Sequence, residues 1–165
     1  MKSTSTNRRV LLVSADDLTT DILTRLVPST FEVTRSRTTL DAKAVAAKTE
    51  FGVLFFDESA SEVSTREICK SLLGGPNAAS SRIALLDPGQ RSEVGPLIDS
   101  CDLFACLVAP WENDALVLSI ERAAEFSALR RDTTAGLTPM GANPVPATDP
   151  ATDPALLRAI ARAFV

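Results

Sequence analysis

A single carboxylate, Asp57, closes the apolar run Phe51-Gly-Val-Leu-Phe-Phe-Asp57, which reads as a buried strand delivering one charge to its C-terminal end. Two further acids, Asp16 and Asp17, follow the apolar run Val10-Leu-Leu-Val13, and a fourth, Asp87, follows Ile83-Ala-Leu-Leu86. If those strand ends share one edge, an all-oxygen cluster of this kind suits Mg²⁺, Mn²⁺ or Ca²⁺. Asp16, Asp17 and Asp57 are its candidate ligands. The competing reading is that Asp16 and Asp17 only complement the start of a helix, where carboxylates are favoured. The remaining chemistry is sparse. There is no histidine, which removes His-based triads, general bases and metal ligands. Cys69, Cys101 and Cys106 have neither a histidine nor a C-x-x-C spacing to make a zinc site, and read as reduced, small apolar fillers. Ser14 has no nearby base to activate it.

The elements that would position these groups alternate regularly. Strand-like runs at Val10–Val13, Phe31–Thr34, Phe51–Phe56, Ile83–Leu86 and Leu103–Val108 are each followed by a helical pattern. Asp16 caps a first helix carrying Leu18, Ile22, Leu23 and Leu26 at helical spacing, and Pro28 stops it. Leu40, Ala44, Val45 and Ala47 mark a second helix. Ser64-Thr-Arg-Glu67 has the form of a capping box for a third, with Gly74-Gly75-Pro76 as its stop. Glu93–Ser100 allows only a short helix interrupted by Gly95 and Pro96. The last large one runs from about Glu112 to Leu129, with Leu116, Ile120, Ala123, Ala124 and Ala128 inward. Continuous apolar strands between helices predict a parallel sheet covered on both faces. The expected fold is α/β, a doubly wound, flavodoxin-like five-stranded parallel sheet in the order 2-1-3-4-5. Its first and third strands then meet at the topological switch point.

This domain is expected over residues 8–131. Residues 132–152 are rich in Pro, Thr and Ala, with ATDP twice in tandem, a linker composition. Residues 153–165 start with Asp153 and Pro154 in cap and first-turn positions, and Leu156, Leu157, Ile160, Ala161 and Phe164 share one face. So short an amphipathic helix needs a surface to dock on, in its own domain or on a partner. The net charge of −4, with only the small basic pairs Arg8-Arg9 and Arg130-Arg131, argues against nucleic acid. No apolar run approaches the ~20 residues of a membrane span, and the polar start lacks a signal-peptide core. The chain is expected in the cytoplasm, away from membranes.

With the strands laid out, residues 8–131 resemble the receiver domain of bacterial two-component response regulators. The stretches that carry the resemblance are Leu11-Leu-Val-Ser-Ala-Asp-Asp17, Val53-Leu-Phe-Phe-Asp57, Ile83-Ala-Leu-Leu-Asp87 and Leu107-Val-Ala-Pro-Trp111. The resemblance implies that Asp57 stands at the phosphoacceptor position, served in the family by Mg²⁺ on an acidic pair, by a Thr or Ser, by a Lys before Pro, and by an aromatic residue that changes rotamer. This chain departs at each partner position. The acidic pair falls on Ser14 and Ala15, leaving Asp16 and Asp17 one or two residues late. The Lys position is Ala109, before Pro110. The aromatic position is Cys106. The hydroxyl position is Asp87, or Leu86 one residue earlier. The usual Met-Pro after the phosphoacceptor is absent from Glu58-Ser-Ala-Ser61.

The losses point one way. Ala109 has no charge to offset a phosphoryl group, Asp87 adds a repelling carboxylate, and Ser14 and Ala15 cannot supply two hard anionic oxygens. The sequence therefore suggests a degenerate receiver, a non-enzymatic signalling module that works by protein contacts without phosphorylation and needs no cofactor, Mg²⁺ being at most weakly held. Partners would be a histidine kinase or an output protein, or a second copy through the face of the fourth helix, fifth strand and fifth helix. Cys106 and Trp111 belong to that surface, although Trp111 also fits as a residue packed on its own helix. The alternatives are a conventional single-domain regulator phosphorylated on Asp57, and a flavodoxin-like small-ligand binder. The turn after the first strand lacks the glycines or hydroxyls of a phosphate cradle, which weighs against the latter.

Overall fold

The computed structural model describes residues 7–59 and 62–136. The expectations for 132–152 and 153–165 fall outside these residues from position 137 onward. Five strands form one sheet: β1 (Arg9–Val13), β2 (Glu32–Ser36), β3 (Val53–Asp57), β4 (Ser81–Leu86) and β5 (Ala105–Val108). All neighbours are parallel, and the order is β2-β1-β3-β4-β5, as the alternation predicts. The crossovers are α1 (Asp17–Leu26), α2 (Thr39–Lys48), α3 (Thr65–Ser71) and α4 (Val94–Cys101), and α5 (Asn113–Gly136) follows β5.

The strand period of two splits the core into two layers. Leu11, Val13, Leu54, Phe56, Ala84, Leu86 and Cys106 face α2, α3 and α4, where they meet Ala42, Ala46, Ile68, Cys69, Leu97 and Cys101. Val10, Leu12, Val53, Phe55, Ile83 and Leu85 face α1 and α5, where they meet Leu23, Leu116, Ile120, Ala123 and Ala124. The inward set expected for α5 is thus buried throughout, with Ala128 also enclosed.

Two helices are rotated from their expected faces. On α1, Leu23 is buried, but Leu18 and Ile22 are 69% and 44% exposed, and Thr20 turns inward instead. The Thr20 hydroxyl donates to the Asp16 carbonyl at 2.8 Å, so a threonine can be buried without an unpaired group. On α2, Leu40 is exposed, and Ala42 and Ala46 point inward in place of Ala44 and Ala47. Small side chains there let the helix approach the sheet closely.

The remaining differences are local. β3 begins at Val53 rather than Phe51, because the Phe51 N–H is taken by the Asn77 side chain at 2.7 Å. α4 keeps Gly95 and Pro96 in its first turn, where a missing N–H removes no helical bond, and a 3-10 stretch over Pro88–Glu93 leads into it. The stop after α3 contains Gly74 at φ +75°, a conformation glycine adopts at no steric cost. α5 continues through Gly136, past the composition change at residue 132, with Thr133 and Thr134 donating their hydroxyls to Leu129 and Arg130 carbonyls. None of the helices among the described residues is long and apolar enough to cross a membrane.

Candidate functional site

Asp57 ends β3 in the middle of the sheet, between β1 and β4, and is 2% exposed. Its carboxylate is held by hydroxyls and an amide. The Ser14 hydroxyl, just past β1, donates to Oδ2 at 2.7 Å. The Ser59 N–H donates to Oδ1 at 3.1 Å, and the Ser59 hydroxyl donates to the same oxygen. The Ser59 contacts form an Asx turn, in which an aspartate folds its own chain back two residues on. Ser14 in turn accepts the Asp16 N–H at 3.2 Å, tying the turn after β1 to the end of β3. Among the described residues no cation pairs with Asp57.

The neighbouring acids do not join it. Asp16 caps α1: its Oδ2 accepts the Thr19 N–H at 2.8 Å and the Thr19 hydroxyl. Those bonds, the hydroxyl's first, hold its carboxyl below the usual carboxylate range. Asp17 is largely exposed and pairs with Arg37. Asp87 is exposed at the start of the 3-10 stretch, where its N–H donates to Gln90 Oε1 at 2.9 Å. Among the described residues no group of three or more His, Cys, Asp or Glu side chains is arranged to hold a metal. Asp16, Asp17 and Asp57 are therefore not brought together as a cation site. The reason is the one-residue delay noted above: it puts Asp16 at the N-cap, where the helix's free N–H groups claim its oxygens.

The other positions are equally altered. Ala109 continues the pairing of β5, its N–H donating to the Leu86 carbonyl at 2.9 Å, and offers only a methyl group. Cys106 is 7% exposed and sits in the α2–α4 layer. Burial, and then the Glu58 carboxylate, push its thiol up to about 11. Trp111 is half-buried and packs against the opposite, α1–α5 layer. Cys106 and Trp111 thus pack on opposite faces of the sheet, on either side of its edge strand β5, and of the two Trp111 is the partly exposed one. Cys69 and Cys101 meet between α3 and α4, and the hydrogen bond between their thiols pushes Cys69 up and draws Cys101 down.

Sequence reasoning missed three groups here. Ser14 and Ser59 supply the donors to Asp57, and Gln90 reaches across to the Glu58 carbonyl at 3.0 Å. The D-x-S spacing of Asp57 and Ser59 is the signal that could have found one of them. Gln90, Glu58, Ser64, Arg66 and Glu93 line a polar groove of about 450 Å³ beside the site, into which Asp57 itself does not open.

A parallel 2-1-3-4-5 sheet with a lone aspartate at the end of its third strand invites comparison with solved structures. The receiver domain of an HD-domain protein from Pseudomonas fluorescens Pf-5 superposes with a TM-score of 0.70 at 17% identity, covering 80% of this chain and 97% of that one. This is a receiver fold. The receiver domain of a sensor histidine kinase from Pseudomonas aeruginosa PAO1, which has a magnesium ion coordinated in its active-site cleft, matches at a TM-score of 0.63 and 14% identity over 72% of this chain and 98% of that one. An adenylate cyclase structure from Rhodopirellula baltica matches at 0.72 and 22% identity, over 79% and 97%. No family model matches the chain, and no curated protein matches it in sequence. The receiver fold is thus present on a sequence far from those structures.

Proposed function

We propose that this chain is a receiver-type signalling module that acts by contact with protein partners, without phosphoryl transfer to Asp57. The carrying observation is the enclosed carboxylate: Asp57 is 2% exposed, and hydroxyls of Ser14 and Ser59 occupy both of its oxygens. In-line attack on a phosphoryl group needs a free carboxylate oxygen and a cation to screen the approaching charge. Two unit charges about 4 Å apart interact by roughly 4 kcal/mol at an effective dielectric of 20, so an unscreened anion is turned away. Neither Ala109, Asp87 nor the capped Asp16 supplies that screening. In this reading the module is non-enzymatic and binds no cofactor. It is placed in the cytoplasm, with a histidine kinase or an output protein as partner, or a second copy across α4, β5 and α5.

The test is to incubate the full chain with acetyl phosphate, or with beryllofluoride, in the presence of Mg²⁺. We expect no phosphoryl adduct by intact mass and a flat Trp111 fluorescence titration. A stoichiometric adduct that disappears in Asp57→Asn overturns the proposal and makes the chain a phosphorylated regulator.

A further inference from the structure

The six exposed large apolar residues among those described are Leu18, Ile22, Leu40, Leu73, Leu118 and Leu129. Leu18 and Ile22 are the pair set one helical turn apart, so they form a continuous apolar strip on the outside of α1. Asp17 and Asp21 repeat at the same spacing beside it, 77% and 57% exposed at their side chains although paired with Arg37 and Arg35. Nothing among the described residues covers the strip.

The chain carries a segment of matching pattern. Residues 153–165 place Leu157, Ile160, Ala161 and Phe164 at helical spacing, with Arg158 and Arg162 four apart. Apolar residues can thus meet Leu18 and Ile22 while the arginines approach Asp17 and Asp21. Reach is not an obstacle. The 16 residues 137–152 can extend roughly 50 Å, while a domain of this size has a radius of gyration of roughly 14 Å.

We propose that residues 153–165 dock as an amphipathic helix on the Leu18–Ile22 strip of α1 in the same chain. Two considerations favour this occupant over a second copy. Two apolar side chains fall well short of the roughly 800 Å² per partner of a stable interface. A tether of this length gives the segment an effective concentration on the order of millimolar, so a small contact suffices. The proposal stands apart from the reading of Asp57, because α1 presents the strip whether or not that carboxylate reacts.

Hydrogen–deuterium exchange of the full chain, at low and tenfold higher protein concentration, tests it. In the unmodified chain the amides of 156–164 should exchange at least tenfold more slowly than in Leu18→Gln/Ile22→Gln, a change of exposed residues to neutral helix formers. Leu157→Gln/Phe164→Gln should release the same amides, with the sheet and α5 unchanged in both variants. Equal exchange of 156–164 in the unmodified chain and in Leu18→Gln/Ile22→Gln overturns the proposal. Protection that rises with protein concentration overturns it too, by assigning the strip to a second copy.

Discussion

The two edges of the sheet bury charged and polar groups in opposite ways. At the C-terminal edge one anion, Asp57, is held by two serines. At the N-terminal edge the buried charge is a cation, Arg82, with Arg131 half-buried. Arg82, 4% exposed, donates to the carbonyls of Cys101 at 3.0 Å and Ala78 at 3.2 Å, and Arg131 donates to the Phe51 carbonyl. Asn77, fully buried, joins them: Oδ1 accepts the Phe51 N–H, and Nδ2 donates to the Ala46 and Thr49 carbonyls at 2.6 and 2.8 Å. The N-terminal edge ties four segments of backbone together through buried side chains, whereas at the C-terminal edge Ser14 and Gln90 make fewer such ties. Stability should therefore be concentrated at the N-terminal edge, and the C-terminal edge should tolerate change. In receiver domains the C-terminal edge is where the resemblance places chemistry, so tolerance there is what a structural remnant would show.

The largest effect should come from Asn77→Ala, which strands one amide and two carbonyls in the interior. We expect a loss of about 3 kcal/mol or more in urea unfolding. A loss below about 1 kcal/mol would break the contrast between the edges.

Alkaline pH should come next. The Cys106 thiol ionises at about 11 in the folded protein against an ordinary 9.0, so the folded state keeps a proton that the unfolded state releases. Stability should then be complete below pH 9 and fall as pH rises towards 11, by roughly 2 to 3 kcal/mol from this group. Cys106→Ala should flatten that part of the pH profile of the unfolding midpoint. An unchanged slope would mean that the buried thiol does not govern it.

Ser14→Ala removes one of the donors to a buried carboxylate and should destabilise by about 1 to 2 kcal/mol. Asp57→Asn is expected to have the smallest effect, within about 1 kcal/mol in either direction. It removes a buried charge that has no cationic partner, and the serine hydroxyls can rotate to serve an amide. Thermal melts of the two variants side by side sharpen the comparison. If Asp57→Asn proves as costly as Asn77→Ala, the two edges are equivalent and Asp57 is structural.

Much of this architecture was readable along the chain. The buried strands, their order and the inner face of α5 follow from apolar runs and a 3.6-residue period, and Asp16 and Ser64 were recognisable as caps. The inner faces of α1 and α2 were not. Counting Leu18, Ile22 and Leu40 as core treats threonine and alanine as surface residues. Thr20 is buried because its hydroxyl bonds its own helix, and Ala42 and Ala46 because α2 lies close to the sheet. Asn77 was invisible for a related reason. A lone asparagine after a helix stop looks like a turn residue until the ends of α2 and β3 are brought around it.

The sequence alone determined that Asp57 stands at a strand end, and which residues occupy the positions where the resemblance would put a lysine, a hydroxyl and an acidic pair, because residue identity and strand spacing are local properties. The tertiary structure decided what surrounds it. Pairing β1 beside β3 brings Ser14, 43 positions away, against Asp57, while helix capping turns Asp16 aside. Such contacts depend on register and on competition for each oxygen, and both are settled only when the distant segments meet.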